Sequence, residues 1–316
     1  MRAVVCDGFG GPDQLRVREV DRPPLGPNDV LVRLAYAGVN PGDSRIRQGE
    51  FVPMGRHIFP LVLGLEGAGT VEEIGISGSP FERGQAVYGF FMHDYVGDGT
   101  YAEFAPVRSR QLVPVPEGVS LRDASVVACA GGTALVLVEE LLGVAAGETV
   151  VVLGAAGGVG HFAVQLAAAA GARVIGVARS ANHDFVRELG AHEVVDYRTE
   201  DVRTAIEKLA PDGVDAAVDA VGGTAQESLA DIVRSGGRIA SCVNPTTSTV
   251  FAERNQSFRF TFLDATPERL ARLNEHLAAG RLRPRVTNES ALEDAAEAHA
   301  AIDAGRSPGK TVLRID

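Results

Sequence analysis

The chain has 316 residues, of which 45% are hydrophobic and 22% charged, and its formal net charge is −11. This composition indicates a folded chain of two domains and excludes a largely disordered one. The acidic balance argues against nucleic acid as a partner, since phosphates would be repelled. No run reaches the roughly 18 to 20 apolar residues of a membrane span, so no membrane role is expected.

From residue 1 to about residue 120 the sequence predicts short strands separated by turns rich in Gly and Pro. The first residues, Met1–Gly8, contain no hydrophobic signal region and are predicted to form a strand. This pattern indicates an all-β, barrel-like domain. Further strands are predicted at Leu15–Val20, Asp29–Tyr36, Gly69–Ile74, Gln85–Phe91, Thr100–Pro106 and Leu112–Pro114.

From about residue 121 strands alternate with helices, which indicates βαβ units and a parallel sheet. Strands are predicted at 149–153, 173–178, 193–196, 214–219, 237–243 and Ser257–Leu263. Helices are predicted at Ala124–Leu142, 158–170, 182–189, 201–209, 225–234, 267–279 and 291–304, and a last strand at Thr311–Arg314. We therefore predict an α/β protein in which a doubly wound domain (121–264) is inserted into a β domain (1–120 and 265–316).

A glycine cluster follows the strand 149–153 and opens an alanine-rich helix. Its spacing is a variant of G-x-G-x-x-G, and the strand before it and the helix after it are the context that a dinucleotide site requires. Glycines let the backbone approach a pyrophosphate, whose charge the helix N–H groups and dipole favour. The dinucleotide-binding residues predicted here are Gly154, Ala156, Gly157, Gly158, Val159 and Gly160.

The end of the second strand of this domain favours NADPH over NADH. An NAD site normally has an acidic residue about 20 positions beyond the glycines, whereas here Ala178 is followed by Arg179 and Ser180. A guanidinium can bind the 2′-phosphate of NADPH, and His183 could add a hydrogen bond. The alternative is that Arg179 is a solvated surface residue.

Cys6, Cys129 and Cys242 lie far apart in the sequence and are odd in number. A disulfide framework is therefore not expected, and a reducing cytoplasm is the predicted compartment.

Six motifs in order carry a family resemblance that covers essentially the whole chain: Phe9–Pro12, Gly38–Asp43, Ile46–Gly49, Leu63–Gly69, Ala155–Gly160 and Gly309–Leu313. With them the chain resembles the medium-chain dehydrogenase/reductase superfamily, and within it the zinc-free quinone oxidoreductase (zeta-crystallin-like) branch. The resemblance implies a GroES-like catalytic domain, a Rossmann domain and a cofactor cleft between them. It also implies a homodimer through Ser257–Leu263, for which an ordinary edge strand is the alternative.

The same resemblance implies which further residues contact the cofactor. Tyr197 would lie near the 2′-phosphate of NADPH. The residues implied near the nicotinamide half are Asn40, Thr133, Val221, Ser241, Val243 and Asn244.

Zinc-dependent relatives place Cys, His and Cys at positions that Asn40, Leu65 and Cys129 match here. An amide and an alkyl group cannot replace thiolate and imidazole as zinc ligands. No metal is therefore expected, and Glu66 is assigned a structural role, with Cys129 as a small buried hydrophobe.

The reaction implied is hydride transfer from NADPH to an activated acceptor such as a quinone, an enone or an alkenal. Enoyl-thioester reduction or natural-product tailoring is the alternative. An alternative of another class is an NADPH-binding protein with little or no turnover.

The source of the proton is open, because relatives have tyrosines where this chain has Arg45 and Phe51. His93 and Tyr95 are candidate catalytic donors, unless their loop is a plain surface hairpin, and His57 is a weaker candidate. Water would otherwise supply the proton. Asn40 and Asp43 complete the candidate catalytic set, with a structural hydrogen-bond acceptor as the alternative role for Asp43.

Overall fold

The computed structural model describes residues 1–244, 249–262, 265–305 and 308–315. Its strands are β1 (Arg2–Cys6), β2 (Arg16–Glu19), β3 (Asp29–Val39), β4 (Arg56–Val62), β5 (Glu66–Ile74), β6 (Ala86–Phe90), β7 (Tyr95–Asp98), β8 (Phe104–Arg108), β9 (Leu112–Pro114), β10 (Thr149–Leu153), β11 (Arg173–Val177), β12 (Glu193–Val195), β13 (Val214–Asp219), β14 (Val233–Ser241), β15 (Ser257–Phe260), β16 (Val286–Ala291) and β17 (Lys310–Arg314). Its helices are α1 (Pro41–Arg47), α2 (Leu121–Ala124), α3 (Ala130–Leu135), α4 (Gly160–Ala169), α5 (His183–Glu188), α6 (Val202–Leu209), α7 (Gly223–Ile232), α8 (Thr249–Glu253), α9 (Pro267–Ala278) and α10 (Ala295–Asp303).

The first of two compact units comprises residues 1–129, 265–279 and 284–316. One sheet has the order β2-β1-β4-β7, and a second runs β16-β17-β3-β5-β6-β9, with β8 also paired to β3. Alternating apolar residues of these strands, among them Val32, Leu34 and Val71, form its core. The predicted GroES-like, β-rich architecture is confirmed.

The second unit comprises residues 130–264 and 280–283. Its sheet has the strand order β12-β11-β10-β13-β14-β15, and every pair in it is parallel. The strand order reverses between β10 and β13, which is the doubly wound Rossmann arrangement. The strands are buried on both faces, so they have continuous apolar sequences such as Val150–Leu153. The predicted α/β fold class is confirmed.

The structure divides the chain a little differently from the prediction. The first unit extends to Cys129 rather than to residue 120, because α2 packs against β3 and β5. Residues 280–283 belong to the second unit. They are held there by Gln165, whose amide bonds the backbone N–H of Arg283 at 2.8 Å and its carbonyl at 3.2 Å.

The predicted helix Ala124–Leu142 was wrong as a single element. Instead α2 ends at Ala124, α3 begins at Ala130, and Val136–Leu141 continues as a π-helix. The Ser125 hydroxyl donates to the carbonyl of Arg122 at 2.8 Å, and such local bonds compete with helix continuation.

Other elements were missed or shifted. No prediction was made for α1, β4, β7, α8 or β16. The predicted helix 291–304 begins only at Ala295, because β16 continues to Ala291 and Leu292–Asp294 form a 3-10 helix. The predicted strand Ser257–Leu263 ends at Phe260, and Leu263 lies outside the described residues.

No helix within the described part of the chain has the length and apolarity needed to cross a bilayer.

Candidate functional site

The glycine cluster lies at the carboxyl end of β10, in the second unit. Gly154 has a φ of 70°, a conformation that favours glycine. A Cβ on Gly160 would lie 2.0 Å from the Gly154 carbonyl oxygen, so only glycine lets α4 begin this close to the loop. The arrangement fits a pyrophosphate, which loop and helix N–H groups can bind. The structure brings together all six predicted loop residues: Gly154, Ala156, Gly157, Gly158, Val159 and Gly160.

The residues predicted to select NADPH meet beyond the ends of β11 and β12. The Arg179 guanidinium Nε donates to the Tyr197 hydroxyl at 2.6 Å, and 45% of Tyr197 is exposed. The His183 ring Nε2 donates to the carbonyl of Ala178 at 3.3 Å. Ser180 follows Arg179 directly, so the four residues form one partly exposed cluster.

Asp196 is an acidic residue in this cluster that the sequence analysis did not single out. Its Oδ2 accepts the backbone N–H of Ser180 at 3.1 Å and its Oδ1 that of Arg198 at 2.9 Å. The Arg198 N–H is the main reason that the pKa of Asp196 lies below its ordinary value. Asp196 is thus ionised at neutral pH, with both oxygens bonded to the backbone that carries the cluster.

A buried carboxylate stands where the strand order reverses. Asp219 ends β13, and its Oδ1 accepts the backbone N–H groups of Val221 and Gly222, both at 2.9 Å. Its Oδ2 accepts the Gln226 amide at 2.8 Å and the Ser241 hydroxyl at 2.7 Å. Asp219 therefore joins the loop after β13 to the loop after β14.

Two of the remaining predicted nicotinamide contacts of this unit, Val243 and Asn244, lie in the loop after β14, and the third, Thr133, lies in a helix. The backbone N–H of Val243 donates to Ser241 Oγ at 3.0 Å. Asn244 is exposed and is the last described residue before the gap at 245–248. Thr133 lies in α3 and is buried.

In the first unit, a buried ion pair holds the side chain of Asn40. Lys310 Nζ lies 2.9 Å from Glu66 Oε1 and also donates to Asn40 Oδ1. Asn40 Nδ2 donates to the same Glu66 oxygen at 2.9 Å, and the Cys129 backbone N–H donates to Oε2 at 2.7 Å. Asn40, Glu66 and Lys310 are each at most 4% exposed, so the amide has one fixed orientation.

A second buried chain of hydrogen bonds holds the backbone of Asn40. Arg47 can only donate, so its contact of 3.3 Å makes His299 Nδ1 an acceptor and puts the ring proton on Nε2. His299 Nε2 then donates to Tyr101 Oη at 3.1 Å. Tyr101 donates to Asp43 Oδ2 at 3.1 Å, and the same oxygen accepts the Asn40 N–H at 2.8 Å.

Burial shifts the pKa values of two groups in this hydrogen-bond network, His299 and Asp43, in opposite directions. It lowers the pKa of His299 to about 4, with the Arg47 charge acting the same way. It raises the pKa of Asp43 to about 7, against the lowering by the Asn40 N–H and the Lys310 charge. Asp43 Oδ1 is buried and has no hydrogen-bond partner among the residues described here, which also favours the protonated form.

The two candidate proton donors are committed to local hydrogen bonds. The His93 ring stacks on Tyr95 at 5.2 Å between centroids, and its Nε2 donates to the Pro106 carbonyl at 3.0 Å. The Tyr95 hydroxyl donates to Asp98, and burial raises the pKa of Tyr95 above its ordinary value. The weaker candidate His57 contacts the Gly55 carbonyl through Nδ1 at 3.0 Å.

The two family tyrosine positions contact each other. The Arg45 guanidinium lies 5.3 Å from the Phe51 ring centroid and pairs with Glu50 at 2.7 Å. A phenyl ring has no proton to donate, so neither position offers a family-type tyrosine acid.

The positions of zinc ligands do not fit a metal here. Asn40 contributes an amide that is already bonded, Leu65 an alkyl group, and Glu66 a carboxylate occupied by Lys310, Asn40 and the Cys129 N–H. Zinc needs thiolate, imidazole or carboxylate donors in a tetrahedral array. In residues 1–244, 249–262, 265–305 and 308–315, no three His, Cys, Asp or Glu side chains form a group that could hold a metal ion.

Several residues that build the site were missed because they come from distant parts of the chain. Lys310 was noted only within its motif, and Tyr101, His299, Asp196 and Asp219 were not singled out. The one available signal for the buried pair was Lys310 itself, a basic residue two positions before the apolar end Val312–Leu313 of the motif Gly309–Leu313.

Two family models match the chain. One is described as an alcohol dehydrogenase GroES-like domain, at residues 26–117, and the other as a zinc-binding dehydrogenase, at residues 189–313. The chain is 32% identical to the quinone oxidoreductase of Pseudomonas aeruginosa over 323 residues, covering 96% of this chain and 97% of that protein. It is 36% identical to bovine prostaglandin reductase-3 over 224 residues, which are 70% of this chain but only 57% of that protein.

Two solved structures with the same fold align over the full length of this chain and over the full length of their own chains. One described as an NAD-dependent alcohol dehydrogenase superposes with a TM-score of 0.92 at 31% identity. A mycobacterial protein complexed with NADPH superposes with a TM-score of 0.88 at 27% identity. The likeness supports an NAD(P)-type cofactor. The choice between NADH and NADPH depends on the residues after β11.

Asp43→Asn tests the raised pKa of Asp43. An amide with its oxygen at the place of Oδ2 keeps both hydrogen bonds but cannot titrate. Between about pH 4 and 7 the folded wild type keeps the Asp43 proton, whereas the unfolded chain has lost this proton. Rising pH therefore destabilises the folded wild type in this window. Relative to Asp43→Asn, its free energy of unfolding should fall by up to about 1.4 kcal/mol per pH unit in that window.

Urea unfolding followed by circular dichroism between pH 4 and 8 gives this difference. Asp212→Asn, in an exposed turn, is the control and should follow the wild type throughout. A difference between Asp43→Asn and wild type that stays constant across the window would contradict the assignment.

Proposed function

The chain belongs to the quinone oxidoreductase-like branch of the medium-chain dehydrogenase/reductase superfamily, and on this premise we propose that it uses NADPH to reduce an electron-poor C=C or C=O group without a metal ion. When bound, NADPH supplies a hydride from its nicotinamide, and the acceptor takes up one proton besides. Quinones, enones and alkenals accept a hydride without a Lewis acid. They are therefore the proposed substrate class.

The Arg179–Tyr197 contact carries the choice of NADPH. A fixed guanidinium beside a phenol is a suitable partner for a 2′-phosphate, because charge-assisted hydrogen bonds to phosphate are strong. Asp196, the nearby acid, is bonded to two backbone N–H groups and so serves the loop rather than a ribose hydroxyl.

On the acceptor side, Asn40 is the proposed orienting residue. Its side chain is held by Glu66 and Lys310 and its backbone N–H by Asp43. Hydride transfer to an activated acceptor depends mainly on orientation, so a rigidly held amide suits this reaction. Asn40 contributes position rather than a proton.

Water is the proposed proton source. His93 and Tyr95 each use their proton in a hydrogen bond within the first unit. A water molecule needs no side-chain rearrangement to deliver a proton.

An enoyl thioester or a natural-product intermediate is the second candidate substrate, favoured by an exposed aromatic cluster. Phe9 packs edge-on against Phe59 and His57, with centroid distances of 5.1 and 5.4 Å. Phe9 and Phe59 are each 40% exposed. Exposed apolar groups of this kind suit an acceptor larger and more apolar than a simple quinone.

Arg179→Ala tests the cofactor. Losing a charged hydrogen bond to the 2′-phosphate should lower kcat/KM for NADPH by about 10- to 100-fold and leave that for NADH unchanged. Steady-state oxidation of both cofactors with a soluble quinone and an enone measures this. Arg187→Ala, an exposed arginine paired with Asp184, is the matched control.

A wild type that prefers NADH would contradict the NADPH proposal. Tight NADPH binding with no oxidation across quinones, enones and enoyl thioesters would instead identify a binding protein with little turnover.

Metal removal tests the proposed independence from zinc. Dialysis against a strong chelator should leave quinone reduction unchanged, and elemental analysis should find far less than one zinc per chain. The physical reason is that Glu66 and Asn40 are already bonded to Lys310. Activity that is lost on chelation and restored by Zn²⁺ would overturn this part of the proposal.

A homodimer through the segment from Ser257 onward is proposed as the assembly. β15 is the edge of its sheet, and Phe262 just beyond it is 43% exposed. Phe262→Lys should shift the protein toward monomer in size-exclusion chromatography with light scattering. Ile76→Lys, at a 97% exposed apolar residue of the first unit, is the control, and an unchanged dimer in both would contradict the proposed interface.

A further inference from the structure

Asp219 has a position that the proposed reaction does not itself explain. It is fully buried, and in the sheet it lies between Leu153 of β10 and Ser241 of β14, at the carboxyl ends of all three strands. Ligands of doubly wound sheets bind outside these ends, where the strand order reverses.

The strand order indicates which part of the dinucleotide would lie on each side of this point. β11 and β12 lie on one side of β10 and carry the Arg179–Tyr197 contact, proposed for the adenosine 2′-phosphate. The glycine loop after β10 is proposed for the pyrophosphate. The half of the dinucleotide that remains is the nicotinamide, which must lie beyond β13 and β14 on the other side.

Asp219 controls the backbone at that end through four hydrogen bonds. Oδ1 holds the consecutive N–H groups of Val221 and Gly222, and Gly222 has a φ of 78°. Oδ2 holds the Ser241 hydroxyl, which in turn bonds the backbone of Val243 at 3.0 Å. The Asp219 carboxylate thus fixes the loop after β13 and the loop after β14 relative to each other.

The two loops are also packed tightly onto each other. A Cβ on Gly222 would lie 2.5 Å from Val243 Cγ1, and a Cβ on Gly154 would lie 3.0 Å from Val221 Cγ2. Val221 itself is 51% exposed. A small shift of either loop would therefore move the exposed Val221 side chain relative to the glycine loop.

We propose that Asp219 is a positioning residue for the nicotinamide end of the cofactor, acting through the backbone of Val221 and Gly222 and, by way of Ser241, of Val243. It is fully buried, and each of its two oxygens already accepts two hydrogen bonds from protein groups, so it acts on the cofactor through the loops rather than by direct contact. This inference rests on the proposed function, because it needs a bound dinucleotide.

Two variants test the role separately from the fold. Asp219→Asn puts an amide nitrogen against the Gln226 amide and the Ser241 hydroxyl, both of which donate to Asp219 in the wild type. Ser241→Ala keeps the loop at Val221 but removes the link to Val243. Asp215→Asn, on the same strand at the opposite end of the sheet and bonded to Thr149 and Arg234, is the matched control.

The measurement compares NADPH with 2′-phospho-ADP-ribose, which lacks only the nicotinamide, by calorimetric titration. Asp219→Asn and Ser241→Ala should each raise the Kd for NADPH by about 10-fold or more, from the loss of a charged hydrogen bond, and lower kcat with a quinone. The Kd for 2′-phospho-ADP-ribose should change less than about 2-fold in both, and Asp215→Asn should match the wild type.

Equal weakening of both ligands would show a general effect on the domain and overturn the positioning role. Unchanged binding and kcat in both variants would overturn it too, while leaving the proposed function intact. A wild type that binds 2′-phospho-ADP-ribose no less tightly than NADPH has no nicotinamide subsite, which also refutes the inference. A wild type that binds neither NADPH nor NADH defeats the proposed function itself, and the inference with it.

Discussion

Hydrogen bonds from backbone N–H groups to carboxyl groups recur in four segments that carry or adjoin candidate functional residues, because a buried N–H group needs a partner. Glu66 accepts the N–H of Cys129, Asp43 that of Asn40, and Asp219 those of Val221 and Gly222. Asp196 does the same beside Arg179. These N–H groups all lie outside the strands, where no sheet partner takes them up, so the same interaction that stabilises each segment also fixes its shape.

The Glu66–Lys310 ion pair shows that burying such charged groups costs desolvation free energy. Desolvating two charges can cost as much as their attraction returns, so a buried ion pair is weak support for stability. Here the pair also holds Asn40 in place, since the side-chain nitrogen of Asn40 donates to Glu66 and its side-chain oxygen accepts from Lys310. A pair of apolar residues would fill the space equally well but would leave the amide without partners. The pair is thus better explained by the orientation of Asn40 than by the stability of the fold.

Local pattern was enough for the features that depend on neighbouring residues. The apolar run Val150–Leu153 followed by glycines predicted β10, its loop and the start of α4 correctly. The same reasoning made Ala124–Leu142 one helix, because periodicity does not detect the Ser125 bond or the π-helix that follows. Short strands such as β7 carried too few residues for a pattern.

The candidate site was predictable only in part for a related reason. Asn40 and Asp43 came from one motif, but Lys310, which bonds Asn40, is 270 residues away in the sequence, and His299 reaches Asp43 only through Tyr101. No local signal marks a histidine in α10 as part of a chain that ends at Asn40. The glycine loop needed no such partners, since its function resides in its own backbone.

This contrast explains why the cofactor half of the chain is better defined than the acceptor half. Pyrophosphate binding depends on glycines and N–H groups, which side-chain changes elsewhere leave untouched. On the acceptor side, Phe59 is 40% exposed, and the Arg45 guanidinium lies 5.3 Å from the Phe51 ring centroid. These positions can change without disturbing Asp43, Glu66 or Lys310. Under the proposed function, one buried frame can therefore serve different acceptors, since phenylalanine at position 51 is compatible with all the hydrogen bonds that hold Asn40.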